Sequence, residues 1–301
     1  MGKIILFYKY TEIHNPEEIR DWQKELCQNL GLTGRILIAT EGINGTLGGS
    51  VEAIDTYISH MRNVSQFADI EFKESEGSRD HFPRLQVLVR PHIVNLGVQF
   101  EDAPLEDRGT HLSPDEAHAL MEQQDNNTLV FDARNNFESR IGKFENAHAP
   151  DIDHFRDLPE YIENHPEVFK DKDVLMYCTG GIRCERASAL LRQKGLARNV
   201  YQLSGGIHRY TEKYPNGYFR GKNYVFDGRI SVRITNDVLT HCDICNTECD
   251  MYTNCINAPC NKHIILCDTC RTAYNNTCSK ACYDIIMQEH DKQRSVIRAQ
   301  E

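Results

Sequence analysis

The chain has 301 residues, 40% of them hydrophobic and 26% charged, and a formal net charge of −10. That balance fits a globular protein of two or three domains and excludes a uniformly basic nucleic-acid binder. No run of eighteen apolar residues occurs, so no transmembrane helix and no membrane partner are expected.

The N-terminus, MGKIILFYKY, runs straight into a strand-like segment without signal-peptide features. A reducing, cytoplasmic setting follows, in which twelve cysteines read as metal ligands or reactive thiols rather than disulfides. Ile4 to Tyr10 is β-prone. Asn15-Pro16 opens a helix whose apolar positions Ile19, Trp22, Leu26 and Leu30 recur at helical spacing, with Gly31 as its stop. Cys27 falls on its apolar face and reads as core. Arg35 to Ala39 reads as a strand, Val51 to Val64 as a helix, and Ile70 to Lys73 and Leu85 to Val89 as strands. This alternation of strands and helices is assigned to a ferredoxin-like βαββαβ domain over residues 1–97. Within it, Glu41 to Ser50 holds four glycines in ten residues. It is either a turn or bulged hairpin, or a loop touching substrate or the neighbouring domain. It matches neither a P-loop nor a dinucleotide fingerprint.

Phe100 to Gly109 is acidic and reads as a linker. From Ser113, a helix cap followed by Pro114 at the first helical position, the rhythm becomes βα. Strands are expected at Thr128 to Asp132, Val174 to Tyr177 and Val200 to Leu203, and a helix at Glu185 to Lys194, stopped by Gly195. Strands separated by helices predict a mostly parallel α/β sheet over residues 98–218. Nine of the twelve cysteines lie between Cys242 and Cys282, marking a cysteine-rich extension over 219–301.

The segment Cys178-Thr179-Gly180-Gly181-Ile182-Arg183 sits where an apolar strand hands over to a helix, the place where an open α/β sheet builds its site. Inward-turned amides, the helix N-terminus and the Arg183 charge all favour thiolate at Cys178, below the ordinary value of about 8.5. The same nest suits a persulfide or another anionic adduct on sulfur. Cys184 is either a resolving thiol or a helix residue packed inward.

This loop resembles the active loop of the rhodaneses, sulfurtransferases that carry sulfur as a cysteine persulfide. Asp132-Ala-Arg-Asn-Asn-Phe-Glu138, Gly142 and Ala147-His-Ala-Pro150 resemble the first rhodanese signature, which implies that Asp132 and Arg134 brace the loop. Ser204-Gly-Gly-Ile207 resembles the glycine pair closing the rhodanese core. Taken together, Glu41-Gly-Ile-Asn-Gly45, Cys178 to Glu185, Gly221-Lys-Asn-Tyr-Val-Phe-Asp227 and the cysteine-rich tail resemble the bacterial tRNA uridine hydroxylase family, TrhO, from Lys3 to about Cys282. The resemblance implies hydroxylation at carbon 5 of the wobble uridine, with O2 as co-substrate and the tRNA anticodon stem-loop as partner. The chain shows no flavin motif, haem motif or iron triad, and it names no electron donor.

From Cys178 to Arg233 there are eleven Lys/Arg against three acids, a local charge of +8. Arg186, Arg209, Lys213, Arg220, Lys222 and Arg229, with Arg192, Lys194, Arg198 and Arg233, are candidates for phosphate contacts, or form a basic surface around an anionic site. Tyr210, Tyr214, Tyr218, Phe219, Tyr224 and Phe226 are either stacking surfaces for an unstacked base or core. In the tail, Cys242-x2-Cys245 and Cys267-x2-Cys270 fit a structural zinc site. The remaining cysteines, with His241 and His263, leave room for a second site of unread pairing; redox cysteines or disulfides are the rival. Beyond Tyr283 the chain is expected to end in a helix or fray.

Two other functions stay open: a persulfide sulfurtransferase, and a non-catalytic tRNA- or protein-binding module. A cysteine phosphatase fits worst, because its loop needs five residues between Cys and Arg, and only Thr179 to Ile182 intervene here.

Overall fold

The computed structural model describes residues 2–298 apart from Arg79, Asp80, Phe100, Glu101 and Gln124, with side chains as far as Glu289. The first domain runs β1 (Gly2–Tyr10), α1 (Pro16–Asn29), β2 (Thr33–Ala39), β3 (Gly42–Ser50), α2 (Val51–Arg62), β4 (Glu71–Gly77) and β5 (Leu85–Val89). Its sheet has the order β4-β1-β3-β2-β5. The first four strands and two helices form the expected βαββαβ unit, and β5 is added at the edge, parallel to β2. Asn15 caps α1 by accepting from the Glu18 amide, and Ser50 caps α2 through the Ala53 amide. Cys27 is fully buried in the core, where burial pushes its thiol up to about 12.

The glycine-rich segment is not a loop but β3, hydrogen-bonded between β1 and β2 in the middle of the sheet. The glycines are there for close packing. A Cβ on Gly45 would lie 2.4 Å from the Phe7 ring, and one on Gly49 would lie 2.4 Å from Leu32. β1 alternates across the sheet. Ile5 and Phe7 face the helices, whereas Ile4, Leu6 and Tyr8 face the second domain. A sheet covered on both faces explains the nearly continuous apolar run of β1.

The second domain runs β6 (Thr110–Leu112), α3 (Pro114–Glu122), β7 (Thr128–Asp132), α4 (Asn136–Ile141), β8 (Gly142–Phe144), α5 (Leu158–Asn164), α6 (Pro166–Phe169), β9 (Asp173–Tyr177), α7 (Ile182–Gln193), β10 (Asn199–Leu203) and α8 (Gly206–Lys213). Strands β6-β10-β9-β7 form a parallel sheet, as expected. Ser113 and Glu116 make a reciprocal capping box at α3, with Pro114 in its first turn. Helix α7 starts at Ile182, inside the cysteine loop, rather than at Glu185. Of the acidic linker over 100–109, Phe100 and Glu101 lie outside the described residues. Leu105–Asp107 is a single 3-10 turn, and the Gly109 amide donates to Ser188 at 2.9 Å.

The tail begins with β11 (Phe219–Tyr224), antiparallel to both β8 and β12 (Ser231–Arg233). Next come β13 (Tyr252–Asn254), β14 (His263–Ile265), α9 (Asp268–Ala273) and α10 (Lys280–Arg298). Its small core of Tyr252, Ile264, Ile265 and Leu266 is completed by Ile141 from the second domain. Among the described residues, no helix is long and apolar enough to cross a membrane.

Candidate active site

Cys178 follows β9 directly, and its sulfur lies at the N-terminus of the twelve-residue α7. Gly181, at φ +102°, turns its amide back to the sulfur at 3.1 Å. A second strand-to-helix turn supports the loop from outside. The Ile207 amide donates to the Cys178 carbonyl at 2.9 Å, and the His208 amide donates to the Thr179 carbonyl at 3.1 Å. Gly206 is required for this approach, because a Cβ there would lie 2.4 Å from the Cys178 carbonyl oxygen.

Burial by itself would raise the Cys178 pKa. The Cys184 thiol, the Arg183 guanidinium and the Arg183 and Gly181 amides outweigh it and hold the value to about 5. Cys184 is buried behind Cys178 and is the donor of this pair; burial, then its anionic neighbour, pushes its own pKa well up. It is thus the inward-packed helix residue and also lies next to the reactive sulfur.

The Arg183 charge does not act on the sulfur alone. It forms a bidentate pair with buried Glu138 at 2.5 and 2.7 Å and donates to the Thr179 hydroxyl at 3.2 Å. Glu138 therefore fixes the guanidinium and shares its charge with the thiolate. A second buried pair stands one step back: Arg134 donates to Asp132 at 2.8 and 2.6 Å and to the Gly142 carbonyl. Asp132 also accepts from Tyr177, the residue before Cys178, at 2.7 Å. This is a bracing geometry for the strand that carries the nucleophile.

The first domain covers the loop. A Cβ on Gly180 would lie 2.9 Å from Leu6, and one on Gly181 would lie 2.8 Å from the Tyr8 hydroxyl. Tyr8 donates to Glu185 of α7 at 3.2 Å, and Glu185 also meets His111 at 3.0 Å. Between the domains lies a cavity of about 760 Å³ whose walls include Leu6, Tyr8, Arg35, Lys73, Cys178, Arg183, Tyr224 and Phe226. Cys178 borders this cavity, yet its side chain is 0% exposed. The loop closes tightly around the sulfur, and a reacting atom has to approach from the cavity side. Leu6, Tyr8 and Lys73 were not legible as site residues, because no local motif ties them to a cysteine far along the chain; Glu138 stood inside the Asp132 to Glu138 signature but carried no expected role there.

The basic stretch is mostly committed elsewhere. Arg186 faces inward from α7, is fully buried and donates to the Gln99 carbonyl at 2.6 Å, so it cannot meet a polyanion. Lys222 is held by Asp250, Arg209 by Glu212 and the Phe72 carbonyl, Lys213 by Asp115, Arg220 by Glu145 and Arg229 by Asp227. Of the aromatic residues, Tyr210 and Phe219 are core, Tyr214 stacks on His118, and Tyr218 packs against the same ring at a tilt. Tyr224 and Phe226 open on the cavity. Phe226 is 59% exposed, with its ring 5.6 Å from the Arg183 guanidinium carbon.

In the tail, Cys242, Cys245, Cys267 and Cys270 bring their sulfurs within 4.8 Å of one another, and so do Cys255, Cys260, Cys278 and Cys282. Sulfurs 3.6 Å apart, as in Cys245–Cys267 and Cys260–Cys278, match the edge of about 3.8 Å of a tetrahedron with Zn–S bonds of about 2.3 Å. Both groups can bind a metal ion. The four pairs interleave along the chain, the first with the third and the second with the fourth. Cys249 joins neither group, and His263 stacks on Tyr252 instead of turning to a sulfur.

Residues 2–93 match the family described as UPF0176 acylphosphatase like domain, residues 113–213 the Rhodanese-like domain, and residues 220–283 the Rhodanase C-terminal family. Over 287 residues the chain is 41% identical to the tRNA uridine(34) hydroxylase of Corynebacterium urealyticum, covering 93% of this chain and 96% of that protein. It is 42% identical to the protein of the same name from Acholeplasma laidlawii, covering 93% and 89%. The corresponding protein of Staphylococcus carnosus is 40% identical, covering 98% of this chain and 92% of its own length. Identity of this order along nearly the whole of both chains places this chain in the tRNA uridine(34) hydroxylase family.

Proposed function

We propose that the protein hydroxylates carbon 5 of the uridine at anticodon position 34 of tRNA, giving 5-hydroxyuridine, with Cys178 as the reacting group and O2 as co-substrate: one oxygen atom replaces the C5 hydrogen as hydroxyl, the other leaves as water, and an external two-electron reductant supplies the balancing electrons. The observation that carries this reading is the Cys178 sulfur, 3.1 Å from the Gly181 amide at the N-terminus of α7, on the border of a cavity large enough for one nucleotide. Arg183, fixed by Glu138, and the Gly181 amide hold the thiolate. Asp132 and Arg134 hold the strand that positions it. Phe226 and Tyr224 offer the target base an aromatic surface. A tRNA substrate places the protein in the cytoplasm. Each tail cluster holds a zinc ion that shapes the tail and takes no part in the chemistry.

The test is mass spectrometry of tRNA nucleosides from cells lacking the gene and complemented with either the parent or Cys178→Ser. The parent restores 5-hydroxyuridine and its derivatives, and the serine variant leaves them at the level of the deletion. Full restoration by Cys178→Ser rejects the role of the sulfur. A persulfide sulfurtransferase is the second reading, favoured by the four-residue spacing from Cys178 to Arg183, which suits a sulfur-sized adduct. Sulfur transfer from thiosulfate to cyanide by the purified protein, with unaltered tRNA in the deletion strain, selects that reading.

A further inference from the structure

Among the described residues, the cations that line the cavity without a carboxylate partner come from the first domain, outside the basic stretch. Arg35, on β2, and Arg84, just before β5, both line the cavity that Cys178 borders. Both are exposed. Among the described residues, the Arg35 guanidinium donates only to the Gln86 side-chain amide oxygen, at 3.3 Å. The Arg84 side chain makes no hydrogen bond or ion pair with a described residue. Deeper in the cavity, Lys73 is 2% exposed. Its ammonium has no carboxylate partner among the described residues and rests 5.1 Å above the Tyr8 ring, and burial draws its pKa below the ordinary lysine value. A buried ammonium that Glu71, Cys178 and Glu212 reach only through space, with no direct carboxylate contact, leaves room for an anionic or oxygen-rich guest.

Resting on the tRNA reading above, we propose that the cavity-lining part of the first sheet, at β2 and the start of β5, is the RNA-docking half of the site, built for single-stranded nucleotides. Arg35 and Arg84 hold backbone phosphates on either side of the target nucleotide, and Lys73 donates to an oxygen of the nucleotide inserted between the domains. The exposed Phe226 ring across the cavity supplies the stacking surface. A cleft of about 760 Å³ admits one splayed nucleotide and is too small for a duplex.

The experiment uses the full-length, metal-loaded protein and a labelled seventeen-nucleotide anticodon stem-loop, with binding followed by fluorescence anisotropy across a salt series. R35A/R84A, two exposed substitutions, is compared with K24A/K170A, which removes two exposed charges outside the cavity. R35A/R84A is expected to weaken binding at least tenfold at low salt. It should also flatten the plot of log affinity against log salt by about 1.4, since each single-strand phosphate contact contributes about 0.7. Lys73→Met should weaken binding further, and K24A/K170A should match the parent. Binding of a seventeen-base-pair RNA duplex should be equally weak in all proteins. Parent-like affinity and slope in R35A/R84A, with the parent still modifying U34 in cells, overturns the docking surface and leaves the hydroxylase reading standing. Equal losses on the duplex and the loop overturn the single-strand assignment. A parent that neither binds the stem-loop nor restores 5-hydroxyuridine overturns the hydroxylase reading and this inference with it.

Discussion

Two regions of this molecule use cysteine in opposite ways. At Cys178 a single sulfur is kept anionic by fixed neighbours: an amide at 3.1 Å, a thiol behind it and a guanidinium that Glu138 holds in place. In the tail, eight sulfurs are gathered in two fours, each within 4.8 Å. Four thiolates at that spacing repel one another unless a cation sits among them. The difference shows that a cysteine's chemistry is set by what its sulfur faces. Dipoles preorganised by the fold leave a sulfur available for reaction, whereas four sulfurs facing one another are arranged to bind a metal ion.

The comparison breaks most visibly at the metal. Structural zinc sites contribute apparent free energies of about 10–16 kcal/mol, so a chelator strong enough to strip the ions should unfold the tail. Because the cysteine pairs interleave, Cys245→Ser should release both ions together, to be read as zinc per chain and as loss of the tail's amide protection. Release of one ion with the second site intact contradicts the interleaved assignment. The cysteine loop should survive the same treatment, since its partners are amides and buried ion pairs.

The next effect in size is at Glu138. Removing one member of a buried ion pair costs about 3–5 kcal/mol, so Glu138→Gln should lower the stability of the second domain by roughly that amount in denaturant titration. The freed Arg183 charge then acts on Cys178 alone, so the thiolate should persist at lower pH than in the parent. A stable variant with a less acidic cysteine contradicts the account of the loop. The smallest effect concerns recognition. Phe226→Ala should raise the apparent Kd for the anticodon stem-loop about tenfold, within the roughly 1–3 kcal/mol of one base–aromatic contact, without changing Cys178 reactivity.

The second domain was readable because its signals are local: the strand at Thr128 to Asp132, the Ser113 cap and the cysteine loop all stand where the sequence put them. β3 was hidden because its glycines carry no side chains to show a two-residue period, although Phe7 and Leu32 need that emptiness. Arg186 was misread because net charge along a segment says nothing about which helix face turns inward. The second cysteine group was hidden because nine clustered cysteines admit many sets of four. The covering of the loop by Leu6, Tyr8 and Lys73 depends on contacts between distant parts of the chain, which no local pattern encodes.

The most direct test is the rate of alkylation of Cys178 by iodoacetamide as a function of pH, followed by mass spectrometry of its peptide. A lowered pKa keeps the sulfur anionic at neutral pH, and protonation should slow the reaction only as pH falls through about 5. The account predicts a midpoint there and a flat rate at neutral pH and above. A rate that keeps climbing toward the ordinary thiol value of about 8.5 would contradict it.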